Sequence, residues 1–149
     1  MRIALYQPEI AGNVGAVLRL AACMGVAVDI IEPTGFVFSD ARMKRAGMDY
    51  IDQAETVRHA DWAAFYAQLT GRLILLTTKG DVALYDMSFL SSDILMFGQE
   101  SAGVPDEVSA IATARIRIPI AAPARSLNLS VSAGIAIAEA LRQTGGLPI

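Results

Sequence analysis

Arg125, Ser126, Asn128 and Ser130 crowd into the segment that joins a β-branched run ending at Pro119 to a long apolar stretch beginning at Leu129. Pro119 has no backbone donor and so disfavours continuation of a central strand. Asn128 or Ser126 suits the start of the helix that follows, because a side-chain oxygen there accepts from the free N–H groups of the first turn. Capping needs one such group, not four. The segment reads as the floor of a binding site. Arg19 is the second residue of interest, six positions after Asn13 on an otherwise apolar helix and flanked by Leu18 and Leu20. Taken alone it reads as an arginine reaching water from a helix edge, and Asn13, Glu100, Ser126 and Asn128 each as a cap or turn residue. As a set they are more informative.

The elements that must position these groups follow a β/α order. Arg2–Tyr6 is an apolar strand, and Gln7–Gly12 a loop by its Pro and Gly content. Asn13 caps a helix to about Met24, stopped at Gly25, and Val26–Ile31 is a second buried strand. Asp40–Ala46 reads as a short helix carrying Arg42, Lys44 and Arg45. Thr56–Arg58 reads as a short strand, and Asp61 caps a helix over Trp62–Leu69. Arg72–Thr77, Asp93–Phe97 and Ile116–Ile118 complete the main strands, with a short helix from Pro105. Leu129–Thr144 is the last helix, ended by Gly145-Gly146. The expectation is a single α/β domain over residues 1–149, with a mostly parallel sheet flanked by helices. The last helix is apolar nearly all round before Glu139, which calls for burial on several sides and suggests a partner subunit.

In open α/β sheets ligands sit beyond the carboxyl ends of the strands. Four loops occupy that position: Gln7–Asn13, Thr77–Gly80, Gly98–Gly103 and Ile118–Asn128. Glycines at 98 and 103 let a ligand approach the backbone, or serve turn geometry alone. No G-x-G-x-x-G follows the first strand, no G-x-x-x-x-G-K-[ST] occurs, and no serine sits in G-x-S-x-G. Dinucleotide, P-loop and serine-hydrolase readings thereby lose their main support. Cys23, beside Met24 on an apolar helix, reads as a buried and inert thiol. His59 reads as a surface or capping residue. One cysteine and one histidine make a Cys/His zinc site within one chain implausible and suit a reducing cytoplasm. At 54% apolar and 18% charged residues the chain is a folding sequence. No apolar window approaches the length of a membrane span. Net charge is −3 and the pI about 5.0, so any nucleic-acid contact must rest on a local patch.

These motifs carry a resemblance. Asn13-x-Gly15-x-x-x-Arg19, Phe97-Gly98-Gln99-Glu100-Ser101-Ala102-Gly103, and Ile118-Pro119 through Ser126-Leu127-Asn128-Leu129-Ser130 occur in order across most of the chain. They resemble the three motifs of the SPOUT class of S-adenosylmethionine-dependent RNA methyltransferases, in its SpoU branch of ribose 2′-O-methylating enzymes. Leu5–Ile10, Ile30–Phe36, Arg45–Tyr50 and Leu76–Gly80 are similar to segments of its small TrmL-type group, which acts on the wobble nucleotide, cytidine or uridine 34, of tRNA.

The resemblance implies an α/β fold with a C-terminal trefoil knot, a homodimer with sites built from both subunits, and no appended RNA-binding domain. It implies S-adenosylmethionine as cofactor, contacted at Leu76, Gly98, Ile118 and Ser126 with Thr77 and Leu127 beside them. Arg19 matches the residue that activates the ribose hydroxyl, with Asn13, Glu100 and Asn128 holding it and the ribose in place. Arg42, Lys44, Arg45, Lys79 and Arg125 are the expected contacts to the tRNA anticodon loop, with no metal and no membrane. The competing readings are a non-catalytic RNA-binding protein of the same fold and a Rossmann-like nucleotide-binding enzyme.

Overall fold

Side chains alternate across a strand, so a buried parallel strand must be apolar on both faces. The first strand meets this: Ile3 and Leu5 enter one core with 0% exposure, and Ala4 and Tyr6 enter the other. The computed structural model describes residues 1–39, 41, 50 and 52–149. Its strands are β1 (Arg2–Tyr6), β2 (Ala27–Ile31), β3 (Thr56–His59), β4 (Leu73–Leu76), β5 (Val82–Ala83), β6 (Ile94–Phe97) and β7 (Ala114–Arg117). They form one sheet in the order β3-β2-β1-β6-β4-β7-β5, parallel at every pairing. Helices α1 (Ala11–Met24) and α4 (Leu129–Thr144) cover one face. Helices α2 (Trp62–Tyr66) and α3 (Asp106–Ile111) cover the other. The expected α/β architecture is therefore present. No helix among the described residues is long and apolar enough to cross a membrane.

Three local expectations are revised. Helix α1 starts at Ala11 with Ile10 at its N-cap and no side-chain cap, so Asn13 lies inside the first turn. Its amide group is engaged elsewhere, as shown below. His59 is 5% exposed, its Nε2 2.9 Å from Asp29 Oδ1. The guanidinium of Arg2 also grips Asp29, at 2.7 and 3.1 Å, so the one acid in β2 is buried with two partners. A buried carboxylate without such partners would be costly. Cys23 is exposed, because the face of α1 that meets the sheet carries Val14, Val17, Leu18 and Ala21 instead. Other boundaries shift by a few residues: α2 ends at Tyr66, and β7 begins at Ala114 and ends at Arg117. The short helix expected over Asp40–Ala46 lies outside the described residues but for Ala41.

The last helix keeps its expected span and is not buried all round. Ala133, Ala136, Ile137, Ala140 and Leu141 face the core, whereas Val131 is 49% exposed and Ala138 is also exposed. Its start is fixed by Asn128, whose Oδ1 accepts from Ser130 N at 2.9 Å and Val131 N at 3.3 Å. Ser126 is not the cap. Asn128→Ala removes this acceptor and is expected to cost ~1 kcal/mol of stability. Thermal unfolding should show a midpoint about 3 °C lower.

Candidate active site

The carboxyl ends of β6, β4 and β7 lie side by side in the sheet. The loops that leave them enclose a cleft of about 480 Å³, within the range of small-molecule sites. Leu76, Thr77 and Lys79 line it from the loop after β4, and Gly98 through Gly103 from the loop after β6. Ile118, Ser126, Leu127 and Leu129 line it from the segment joining β7 to α4. All six residues expected to hold a cofactor (Leu76, Thr77, Gly98, Ile118, Ser126 and Leu127) therefore meet in one place. The lining pairs apolar side chains with backbone amides and hydroxyls, a mixture that suits a nucleoside carrying a polar tail.

Close backbone approach makes this cleft. Gln99 and Gly103 exchange amide hydrogen bonds of 2.8 and 2.9 Å, which folds the loop after β6 back on itself. A Cβ on Gly98 would lie 2.7 Å from Gly103 Cα and 2.7 Å from its carbonyl oxygen. Gly103 itself has φ of 66°, a conformation costly for any residue with a Cβ. On the opposite side, Thr77 N donates to Ile116 O at 2.9 Å and Asp81 N to Arg115 O at 3.0 Å, binding the loop after β4 to β7.

Beside the cleft runs a chain of polar side chains drawn from three distant parts of the sequence. Asn128 Nδ2 donates to Asn13 Oδ1 at 3.0 Å, and Asn13 Nδ2 donates to Glu100 Oε1 at 3.2 Å. Glu100 Oε2 accepts from the amide of Glu9 at 3.0 Å. This explains why Asn13 does not cap α1. Three of the four residues expected in catalysis are thus joined.

The fourth, Arg19, is not in this chain. Residues on a helix rise 1.5 Å each and turn 100°, so Arg19 stands ~9 Å along α1 from Asn13 and on another side. It is exposed, with its guanidinium carbon 5.0 Å from the centre of the Tyr50 ring. Among the described residues it makes no ion pair or hydrogen bond, which leaves five N–H donors for a ligand. Of the expected RNA contacts, Lys79 lines the cleft, Arg125 is exposed on the loop before α4, and Arg42, Lys44 and Arg45 lie outside the described residues.

Sequence reasoning missed several residues that shape this site. Glu9 accepts from Ser101 Oγ at 2.7 Å and Ser101 N at 2.8 Å; the hydroxyl first and the amide second hold its carboxyl below the usual carboxylate range. Gln99 Nε2 donates to Gln7 Oε1 at 3.0 Å. Arg115 lines the cleft, donating to Asp81 and to the Ser109 carbonyl. A signal was available at Glu9 alone, an acid in a proline-containing loop at a strand's carboxyl end.

Comparison with known proteins places this geometry. A tRNA (cytidine(34)-2'-O)-methyltransferase of Beijerinckia indica is 51% identical over 148 residues, covering 97% of this chain and 92% of that protein. A solved structure giving insight into the 2-OH methylation of C/U34 on tRNA superposes with a TM-score of 0.89 at 42% identity, covering 95% of this chain and 89% of the other. An AdoMet-bound rRNA methyltransferase from Sinorhizobium meliloti gives a TM-score of 0.84 at 29% identity, covering 95% of this chain and 55% of the other. Residues 1–138 match the SpoU rRNA Methylase family, a span that holds every strand from β1 to β7, helices α1, α2 and α3 in full and the first part of α4. Matched over this span, and 51% identical over nearly its full length to a named relative, the chain belongs to the SpoU rRNA Methylase family.

Proposed function

We propose that this protein transfers a methyl group from S-adenosylmethionine to the ribose 2′-hydroxyl of the wobble nucleotide, cytidine or uridine 34, of tRNA. The observation that carries the reading is the cleft at the ends of β4, β6 and β7, bordered by the Asn128–Asn13–Glu100 chain. Similarity over nearly full length to tRNA (cytidine(34)-2'-O)-methyltransferases supports the substrate. The AdoMet-bound relative supports the donor.

When bound, S-adenosylmethionine supplies an electrophilic methyl on a sulfonium. The residues of this chain do the rest by position. Leu76 and Ile118 would cover the faces of its adenine, Gly98 would let the edge approach backbone, and Ser126, Leu127 and Thr77 would close the rim. Holding the ribose oxygen in line with the methyl supplies much of the acceleration. The 2′-hydroxyl is a poor acid, and its oxygen gains negative charge as its proton passes to solvent water. Arg19 is a permanent cation, so its part is to orient the nucleotide phosphate and stabilise the developing alkoxide. Asn13, Glu100 and Asn128 fix the ribose. Lys79 and Arg125, at and beside the mouth, meet the RNA backbone.

The reading includes a homodimer. Gly12, Ala16, Arg19 and Cys23 recur at helical spacing along the exposed face of α1, a stripe of mostly small side chains that admits a second helix. Ile10, Leu127 and Val131, 51%, 39% and 49% exposed, extend an apolar surface at the same end of α1 and α4. A partner there would cover these residues and bring its Arg19 towards the opposite cleft. A trefoil knot at the passage into α4 and a cytoplasmic location belong to the same proposal. Calorimetry with S-adenosylmethionine, its demethylated product and NAD tests the donor assignment. Binding of the first two and not NAD is expected; no binding of either would overturn the proposal.

A further inference from the structure

The loop after β6 forms a wall of the cleft, yet Glu100, Ser101, Ala102 and Gly103 are all exposed. None of these four places an apolar side chain in the core. Among the described residues, apart from the Gln99–Gly103 pair, the stretch is held by hydrogen bonds to Gln7 and Glu9 in the loop between β1 and α1 and to Asn13 in the first turn of α1. Ser101 gives both its hydroxyl and its amide to the carboxylate of Glu9, at 2.7 and 2.8 Å. The Glu9 amide returns a bond to Glu100 Oε2, which leaves Glu100 Oε1 directed at Asn13.

The loop that carries Glu9 is itself braced. Gln7 adopts φ of 44°, uncommon for a residue with a Cβ, and its amide is tied to Ile31 O at 2.9 Å. From behind, Gly35 N donates to Pro8 O at 2.9 Å, and a Cβ on Gly35 would stand 2.8 Å from Glu9 Cα. Non-glycine residues held in such conformations need surroundings that over-determine them, and they cluster at functional sites. The loop after β6 is therefore tied to a braced one by Gln99 on Gln7, by the Glu9 amide on Glu100 and by the Glu9 carboxylate, and the last of these takes both donors of Ser101.

We propose that Glu9 is a positioning residue for the reaction: its carboxylate clamps Ser101 and so sets the Gln99–Gly103 wall of the donor cleft, and Glu100 with it, in register with Asn13 and Asn128. Both Ser101 donors meet an ionised acceptor, the stronger class of hydrogen bond. Their exposure to water keeps the effect modest, since a charged hydrogen bond contributes only part of its strength in solvent. Glu9→Gln retains one acceptor oxygen and sets an amide against the other donor. The inference rests on the cleft being the methyl-donor site.

The test compares Glu9→Gln, Ser101→Ala and the double variant in the full chain, with S-adenosylmethionine as the calorimetric probe. Glu9→Gln should weaken donor binding about five- to tenfold, the scale of one charge-assisted hydrogen bond. The double variant should be no weaker than Glu9→Gln alone, because both changes break the same contact. Amide hydrogen exchange of the unliganded protein should quicken selectively at residues 99–103 in Glu9→Gln, while the strands of the sheet keep their protection. Unchanged exchange at 99–103, or losses of binding that add in the double variant, would overturn the proposal. Should the unsubstituted protein bind no donor, the functional reading fails, and the exchange comparison still decides whether Glu9 is the clamp.

Discussion

Arg19→Ala is expected to lower the rate of methyl transfer about a hundred- to a thousandfold, the loss that follows removal of one electrostatic stabiliser of a developing oxyanion. Affinity for S-adenosylmethionine should stay within about twofold of the parent, an effect below ~0.5 kcal/mol. The separation follows from the geometry. Arg19 is exposed and is not among the residues that line the cleft of its own chain. Among the described residues its ring contact is Tyr50, at 5.0 Å. The helix does not need the charge either, because the buried face of α1 is Val14, Val17, Leu18 and Ala21. Alanine is the strongest helix former, so folding is preserved. Single-turnover kinetics with saturating tRNA and donor would check the rate, and calorimetry the affinity. A parallel loss of donor binding would show that Arg19 belongs to the donor site.

Gly98→Ala should act in the opposite sense, on the donor site and on stability together. The new methyl group would sit 2.5 Å from the Gly103 carbonyl carbon, in a place where the neighbour is backbone and cannot rotate away. The Gln99–Gly103 pair must open or β6 must shift. Overpacking of this kind costs ~1–3 kcal/mol, and the displaced loop removes one wall of the cleft. Thermal unfolding and donor calorimetry on the same sample provide the check. Donor affinity within about twofold of the parent would mean that the loop tolerates the shift and that the cleft does not depend on it.

Periodicity made most of the fold legible before any coordinates. Strands β1 and β6 carry continuous apolar runs, Ile3–Tyr6 and Ile94–Phe97, and a run of that kind cannot be solvent-facing. Helix α4 was legible to the residue because Asn128 and Gly145 punctuate an otherwise uniform stretch. The cleft was legible for a related reason: loops at the carboxyl ends of parallel strands converge, and the residues expected to meet a cofactor fall on three of them. What was not legible depends on pairing across long separations. Asp29 stands within a strand that reads as buried, and its bonds to Arg2 and His59 show why burial of the acid is tolerated. Asn13 resembled a cap because its residue type favours that role, and the competing partners Glu100 and Asn128 are 87 and 115 residues away. Cys23 followed from the apolar character of α1, but which face of a helix meets the sheet is settled by packing and not by composition. The outward apolar face of α4, like Cys23 on α1, is not buried within a single chain.

The central claim is methylation of a ribose oxygen in tRNA, and the most direct measurement is product mapping. Unmodified tRNA is incubated with the protein and isotopically labelled S-adenosylmethionine, digested to nucleosides and oligonucleotides, and read by mass spectrometry. One labelled methyl per transcript is expected, on the 2′-oxygen of cytidine or uridine 34. Label on a base, or none on any tRNA with donor bound, would contradict it.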